Sequence, residues 1–349
     1  MKITVIGAGN TGKAMAIFLT TKGYDVCLYD RKQDKVDLIN KEGIKDSGSF
    51  NTECKVKASS DLKEAVSGSE MIFVTTTSDG HLDVAKNLRD LLEKDQSIVI
   101  FNGNWGAYEF YEVLKDKIEE LNLGLAETGG MIFTSKYISE REVLAAKKES
   151  VDLGILNGNN TEKILNFFND NMNNVTVFEN LVAASLNASN PVIHVPIVAF
   201  NLARIEAGED FAFYGPAASP LAIDYVLNID KERLALCDKL GIKAKGILDI
   251  INGSWKIKHE NLYDALHLNE SYKLAKGPKN LHHRYVFEDI PYGIYPVKVL
   301  SNQMGLKTPY LDGIIGFMGK AVDWLNLEEE GVYNLDYKKV LNHVSGLDK

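Results

Sequence analysis

The chain has 349 residues, 45% of them hydrophobic and 25% charged, and its 39 Lys and Arg against 48 Asp and Glu give a net charge of −9. This length exceeds one ordinary hydrophobic core and points to two domains of a soluble globular protein. The acidic balance argues against a nucleic-acid surface, whose affinity needs clustered Lys and Arg, and three widely separated cysteines, Cys27, Cys54 and Cys237, argue against a disulfide framework or a metal cluster.

The N-terminus, MKITVIGAGN, passes straight into structure without a signal-peptide pattern, so a cytoplasmic location is expected. Lys2 to Ile6 is an apolar run, followed by GAGNTG and a helical stretch to about Thr21. YDVCLYD reads as a second strand. MIFVTTT and SIVIFN read as later ones, separated by polar helices such as HLDVAKNLRDLLEK, and SVDLGILN and NVTVFE close the series. Strands alternating with helices predict an α/β domain of Rossmann type, a doubly wound parallel sheet with helices on both faces.

Gly7, Gly9 and Gly12 form G-x-G-x-x-G between the first strand and the first helix. The first glycine allows a tight turn, the second lets backbone approach a pyrophosphate, and the third lets helix and strand pack closely. The helix then offers free N–H groups and its positive dipole end to the phosphates. Asp30 ends the next strand, 18 residues after Gly12, where a carboxylate can accept hydrogen bonds from both ribose hydroxyls. Asn10 and Thr11 in the turn complete the cofactor-binding set with Arg31. Asp30 repels a 2′-phosphate and favours NAD. Arg31 and Lys32 offer that phosphate a partner and leave NADP open, although Arg31 can equally stack on adenine or stay solvated.

After about Asn180 the β signals fade and long apolar-periodic segments predict an all-helical second domain, giving a division into residues 1–180 and 181–349. Asn180 to Ala203 holds no Asp, Glu, Lys or Arg and is long enough to span a bilayer. Its four asparagines, one histidine and two prolines, without flanking anchors, favour a buried helix over a membrane span. On one helix, Asn187, Asn190, His194 and Asn201 fall within about 60° of each other and make a polar stripe on an apolar rod. A buried amide or imidazole without partners costs about 1–3 kcal/mol, so the stripe makes sense facing a cleft, substrate or cofactor. Taken alone, His194 reads first as a satisfied core histidine, and the stripe and the neighbouring cofactor domain bring a functional reading level with that one. Asn190, one turn before it, is a candidate for positioning substrate or nicotinamide. Near the end, LHHRYVFEDIPYGIYPVKVL carries Arg284, Glu288 and Asp289 among aromatics. An arginine there can clamp a carboxylate or simply pair with Glu288 at i, i+4, and an aspartate can orient a histidine. His282 and His283 read as solvated.

GAGNTGKAMA, NPVIHVP and HRYVFEDIPYGIYPVKVL together resemble the opine dehydrogenase family, which includes octopine and nopaline dehydrogenases, and TTTSDGH, IFNGNWGAYEF and TPYLDGII follow in matching order. The resemblance implies an active site between a dinucleotide domain and a helical domain. It also implies reductive condensation of a 2-oxo acid, pyruvate in the first instance, with the amino group of an amino acid by NADH or NADPH. It maps the catalytic histidine to His194, its partner aspartate to Asp289 and the carboxylate-binding arginine to Arg284. Small-molecule substrates are then the expected partners, with no nucleic acid, membrane or metal, and with a homodimer through the helical domain. Two other readings stay open: a reductase of a free 2-oxo or hydroxy acid, and a non-catalytic dinucleotide sensor, which needs no polar stripe.

Overall fold

In the computed structural model KITVI becomes β1 (Lys2–Ile6), an interior strand of an eight-stranded sheet. The structure describes all residues except 157, 159, 179, 274, 324, 326, 328–334 and 346–349. Single residues of SVDLGILN, NVTVFE and NLYDALHLNESYKLA (157, 179 and 274) therefore lie outside the described residues. The chain divides into two units, Met1–Leu181 and Val182–Lys349.

In the first unit β1 is followed by α1 (Asn10–Thr21), β2 (Asp25–Tyr29), α2 (Gln33–Glu42), β3 (Ile44–Asp46), β4 (Thr52–Cys54), β5 (Lys57–Ser59), α3 (Leu62–Val66) and β6 (Met71–Val74). Then come α4 (His81–Leu88), β7 (Ser97–Phe101), α5 (Gly106–Glu120), β8 (Gly124–Thr128), β9 (Phe133–Tyr137), β10 (Glu142–Lys147), β11 (Ser150–Ile155), α6 (Thr161–Asn171) and β12 (Asn174–Phe178). The main sheet runs β12-β11-β8-β7-β6-β1-β2-β5. Alternate residues of its central strands feed two cores: Met71, Phe73 and Val99 enter one, and Ile72, Val74, Ile98 and Ile100 the other. Apolar side chains on both faces are what a parallel sheet needs when helices cover each side.

Two features depart from the sequence reading. The sheet is parallel except where β11 pairs antiparallel with β8. A second sheet, β4-β3-β10-β9, stands beside it. Its strands are short and its burial patterns mixed, so they carry little periodic signal. This small sheet packs on α1, and residues Gly12 to Leu19 of that helix are all buried. Phe18 meets Phe50 and Phe133 at ring separations of 5.7 and 5.5 Å. The buried Lys13 turns its ammonium to the Glu140 carbonyl at 3.0 Å.

Among the described residues the second unit is helical apart from an isolated Ala212–Lys276 bridge: α7 (Val182–Leu186), α8 (Asn190–Ala199), α9 (Leu202–Glu206), α10 (Pro220–Leu240), α11 (Ile247–Trp255) and α12 (Leu262–His267) come first. α13 (Arg284–Phe287), a π-helical turn over Asp289–Ile294, α14 (Tyr295–Gln303), α15 (Pro309–Ala321) and α16 (Tyr337–Ser345) follow. The segment read as one long helix is thus three. Asn187 sits in the first break, where its amide donates to the carbonyls of Ala183 and Lys243 and its oxygen accepts from the Lys245 N–H. Arg233 binds the Leu186 carbonyl from α10 and is held by Asp230 at 2.9 Å. Asn201 fastens the second break, donating to the carbonyls of Ile197 and Ala217 at 2.8 and 2.9 Å. Both asparagines are spent on backbone at helix ends, so the continuous polar stripe does not form. Pro191 lies in the first turn of α8, where a missing N–H costs nothing, while Pro196 is inside the helix. Val182–Ala199 is apolar enough to span a membrane, but 83% of it is buried inside the protein.

Candidate active site

The glycine turn calls for glycine at two of its three positions, by backbone conformation at Gly7 and by close contact at Gly12. Gly7 has φ +103°, and its carbonyl accepts a 3.0 Å hydrogen bond from the Thr75 hydroxyl. A Cβ at Gly12 would overlap the Gly7 carbonyl oxygen, so this glycine is what lets α1 sit against β1. A Cβ at Gly9 would meet nothing within 4 Å. The fold itself makes no demand for glycine there, and the open space beside this backbone suits the approach of a pyrophosphate. Gly9 is the N-cap of α1, and that helix has no side-chain cap and no acidic residue in its first turn. Its leading N–H groups are therefore open to an anion. Asn10 and Thr11 open the helix half-buried, with the Thr11 hydroxyl 3.2 Å from that of Ser135.

Asp30 follows β2 directly and is buried. It accepts hydrogen bonds from the backbone N–H of Ala8 at 3.2 Å and of Lys32 at 3.1 Å, which locks the carboxylate beside the glycine turn. Lys35 adds an ion pair at 2.8 Å, a partner the sequence reading did not assign. Arg31 is exposed. The turn, the uncapped helix and the fixed carboxylate fit a dinucleotide.

In the second unit the structure joins residues far apart in sequence. His194, in the middle of α8, places Nδ1 2.7 Å from Oδ2 of Asp289, 95 residues away and the first residue of the π-helical turn. Both side chains are buried, Asp289 completely. The approach depends on Gly293 later in the turn, because a Cβ there would overlap the ring of Pro191. Pro191 and Gly293 thus set α8 and the turn at the spacing the dyad requires. Turns of this π-helical kind are rare and recur at functional sites.

Nε2 of His194 lies 3.1 Å from the Tyr214 hydroxyl. Tyr285 stacks on the imidazole at 3.9 Å between ring centres, and Phe213 meets it edge-on at 5.5 Å. Tyr214 stacks in turn on Tyr272 at 4.2 Å, and Tyr272 accepts a 3.0 Å hydrogen bond from the Trp255 indole. Burial pushes the hydroxyls of Tyr272 and Tyr285 up to about 12. Arg284 starts α13 with its Nε 3.2 Å from Oε2 of the buried Glu288, while about a third of its own side chain is exposed. The i, i+4 pair therefore exists, and the guanidinium still has N–H donors on its other nitrogens. Asn190 begins α8 and is half-buried.

His283 corrects the sequence reading. It is half-buried, and its ring nitrogen accepts from the Tyr285 N–H at 3.3 Å as the N-cap of α13. Burial, with Arg284 and His194 nearby, lowers its pKa to about 4, so it is neutral. The aromatic residues around His194 were missed because Phe213 and Tyr214 stand in a loop without motif, and Tyr272 in a segment whose period marks only a helix.

Residues 177–322 match the family model described as NAD/NADP octopine/nopaline dehydrogenase, alpha-helical domain, and residues 2–163 match the NAD-dependent glycerol-3-phosphate dehydrogenase N-terminus. The chain is 27% identical over 327 residues to the opine dehydrogenase of Arthrobacter sp. (strain 1C), covering 91% of this chain and 90% of that one. Its fold is similar to octopine dehydrogenase solved with NADH and pyruvate, with a TM-score of 0.72 at 16% identity over 92% of this chain and 89% of that one. Apo yersinopine dehydrogenase is similar at a TM-score of 0.72 and 14% identity, over 99% of this chain and 97% of that one.

Proposed function

We propose that this chain, whose residues 177–322 match the alpha-helical domain of NAD/NADP octopine/nopaline dehydrogenase, is an NAD-dependent oxidoreductase acting on CH–NH bonds that condenses a 2-oxo acid with the amino group of an amino acid. Reduction of the resulting imine gives an N-(1-carboxyalkyl) amino acid. The observation that carries this reading is the buried contact between His194 Nδ1 and Asp289 Oδ2 at 2.7 Å.

The chemistry asks for one group that first takes a proton and then returns it. An amino acid attacks a ketone only as the free amine, and the carbinolamine loses water only when its oxygen is protonated. Asp289 accepts from Nδ1–H and so fixes the tautomer in which Nε2 is the base. Nε2 takes the ammonium proton, Asp289 stabilises the imidazolium, and the same proton leaves with water as the C=N bond forms. Arg284 offers its remaining donors to a substrate carboxylate, which orients the imine. Asn190, one helical turn before His194, is the candidate for fixing the oxo acid. Residues Gly7, Gly9, Asn10, Thr11, Gly12, Asp30 and Arg31 hold the dinucleotide, whose reduced nicotinamide supplies the hydride when bound.

The test is NADH oxidation with pyruvate, the oxo acid in the octopine dehydrogenase complex, with and without each of the common amino acids. Consumption that depends on the amine is expected. Consumption independent of it identifies a reductase of the free oxo acid, and binding without turnover identifies a sensor.

Two substitutions probe the binding groups. Arg284→Ala should raise the KM for a carboxylate substrate roughly 10-fold or more with a smaller change in kcat. Unchanged KM values for both substrates would reduce Arg284 to a partner of Glu288. Asp30→Ala should raise the KM for NADH more than that for NADPH, because it removes both an acceptor for the ribose hydroxyls and a charge that repels a 2′-phosphate. An equal rise for both cofactors removes Asp30 from the ribose site.

A further inference from the structure

Both ring nitrogens of His194 are engaged inside the second unit: Nδ1 by Asp289 at 2.7 Å and Nε2 by the Tyr214 hydroxyl at 3.1 Å. The imidazole is also packed by Tyr285 at 3.9 Å and by the edge-on ring of Phe213 at 5.5 Å, two rings that lie 4.7 Å from each other. A substrate oxygen or nitrogen approaching Nε2 along the lone pair meets the Tyr214 hydroxyl before it meets the imidazole. Tyr214 itself is half-buried, and its hydroxyl touches the histidine.

We propose that Tyr214 is a catalytic residue that carries the proton between His194 and the substrate. The inference rests on the function proposed above. In the amine step the substrate ammonium gives its proton to the Tyr214 oxygen as the phenolic proton passes to Nε2, leaving free amine and imidazolium. In the dehydration step the Tyr214 proton goes to the carbinolamine oxygen as Nε2–H refills the phenol. The C–O bond breaks with its electron pair, water leaves, and the nitrogen lone pair closes the C=N bond. Histidine and tyrosine both return to their starting forms, so each cycle is balanced in protons.

Three features of the surroundings suit this role. Tyr214 lies flat against Tyr272 at 4.2 Å with 22° between the rings, and Tyr272 is anchored by the Trp255 indole, so the phenol is held in one direction. Burial raises the Tyr214 hydroxyl well above its ordinary pKa, with Tyr272, Tyr285 and Asp289 adding to the effect. A free phenolate therefore does not accumulate, and transfer through the oxygen must be concerted, with one proton arriving as the other departs. The hydroxyl can both donate and accept, which lets it serve either direction without reorienting the ring.

The test compares wild type with Tyr214→Phe, which keeps the ring and its stack on Tyr272. The readouts are kcat, the Kd for NADH and the dependence of kcat on the deuterium fraction of the solvent. The expected result is a fall in kcat of roughly 10²-fold with NADH binding unchanged. The deuterium dependence should change from a curve, which reports two protons in flight, to a straight line. A variant with kcat within twofold of wild type overturns the relay, as does a slow variant whose curve is unaltered, which would show that the hydroxyl only steadies the imidazole. His194→Asn run alongside separates this from the dyad: a slow His194 variant with a fast Tyr214 variant overturns the relay alone. A wild type that turns over no pair of oxo acid and amine overturns both.

Discussion

His194→Asn lowers kcat by roughly 10²-fold or more while the Kd for NADH and the Tm stay close to wild type. The choice of asparagine follows from the burial of the dyad. Asp289 has no exposed surface, and removing the histidine outright leaves a buried carboxylate without its donor, a change that costs about 3–5 kcal/mol in other buried pairs. An asparagine amide nitrogen lies near the position of Nδ1 and can still donate to Asp289, but nothing remains at the position of Nε2 to take and return a proton. Loss of turnover in a stably folded variant then reports on proton transfer alone. His194→Ala is expected to lose both stability and turnover, and its Tm should fall clearly below that of the asparagine variant. Near-normal turnover by His194→Asn removes the dyad from the mechanism, whatever the cofactor does. A parallel loss of NADH binding in the same variant would show instead that the substitution disturbs the nucleotide domain.

Gly12→Ala and Gly9→Ala are expected to fail in opposite ways. At Gly12 the added methyl falls on the Gly7 carbonyl oxygen, and the Thr75 hydroxyl is also within 2.9 Å. The helix cannot retreat, because Gly12 to Leu19 are buried between the main sheet and the small one. The variant should lose about 3 kcal/mol of stability or more, seen as a lowered Tm and reduced soluble yield, and with it NADH binding. Gly9 has φ −72°, a value any residue adopts, and its Cβ would point into open space. Gly9→Ala should therefore keep the wild-type Tm and raise the Kd for NADH by about 10-fold or more, since the methyl would stand where the proposed pyrophosphate site meets backbone. Unaltered NADH affinity in Gly9→Ala would mean that the dinucleotide does not lie on this turn. An unaltered Tm in Gly12→Ala would mean that α1 can move from β1 after all.

The limits of the sequence reading follow from which signals are local. Main-sheet strands such as KITVI and SIVIF are apolar on both faces, and their runs stand out in any short window. The strands of the small sheet are three to six residues long and mix exposed with buried positions, so nothing periodic marks them. In the helical unit, the stripe of Asn187, Asn190, His194 and Asn201 rested on the assumption of one unbroken helix. The breaks after Leu186 and Ala199 spend Asn187 and Asn201 on neighbouring carbonyls, which leaves His194 on its own short helix. The motif-bearing residues were legible because their chemistry is tied to a short string. Tyr214, Tyr272, Lys35 and the capping role of His283 were not, because each depends on a partner supplied by the fold.

Sequence by itself determined the alternation of strands and helices, the glycine turn with its acid at the end of β2, and the change to helices near Asn180, since each is written in residues close along the chain. Tertiary structure decided that an imidazole and a carboxylate 95 residues apart meet at 2.7 Å, and that a tyrosine holds the other ring nitrogen. That outcome rests on Pro191 seating against Gly293 in the π-helical turn that begins at Asp289. Contacts of that kind are fixed by how whole elements pack, and no short stretch of either partner encodes them alone.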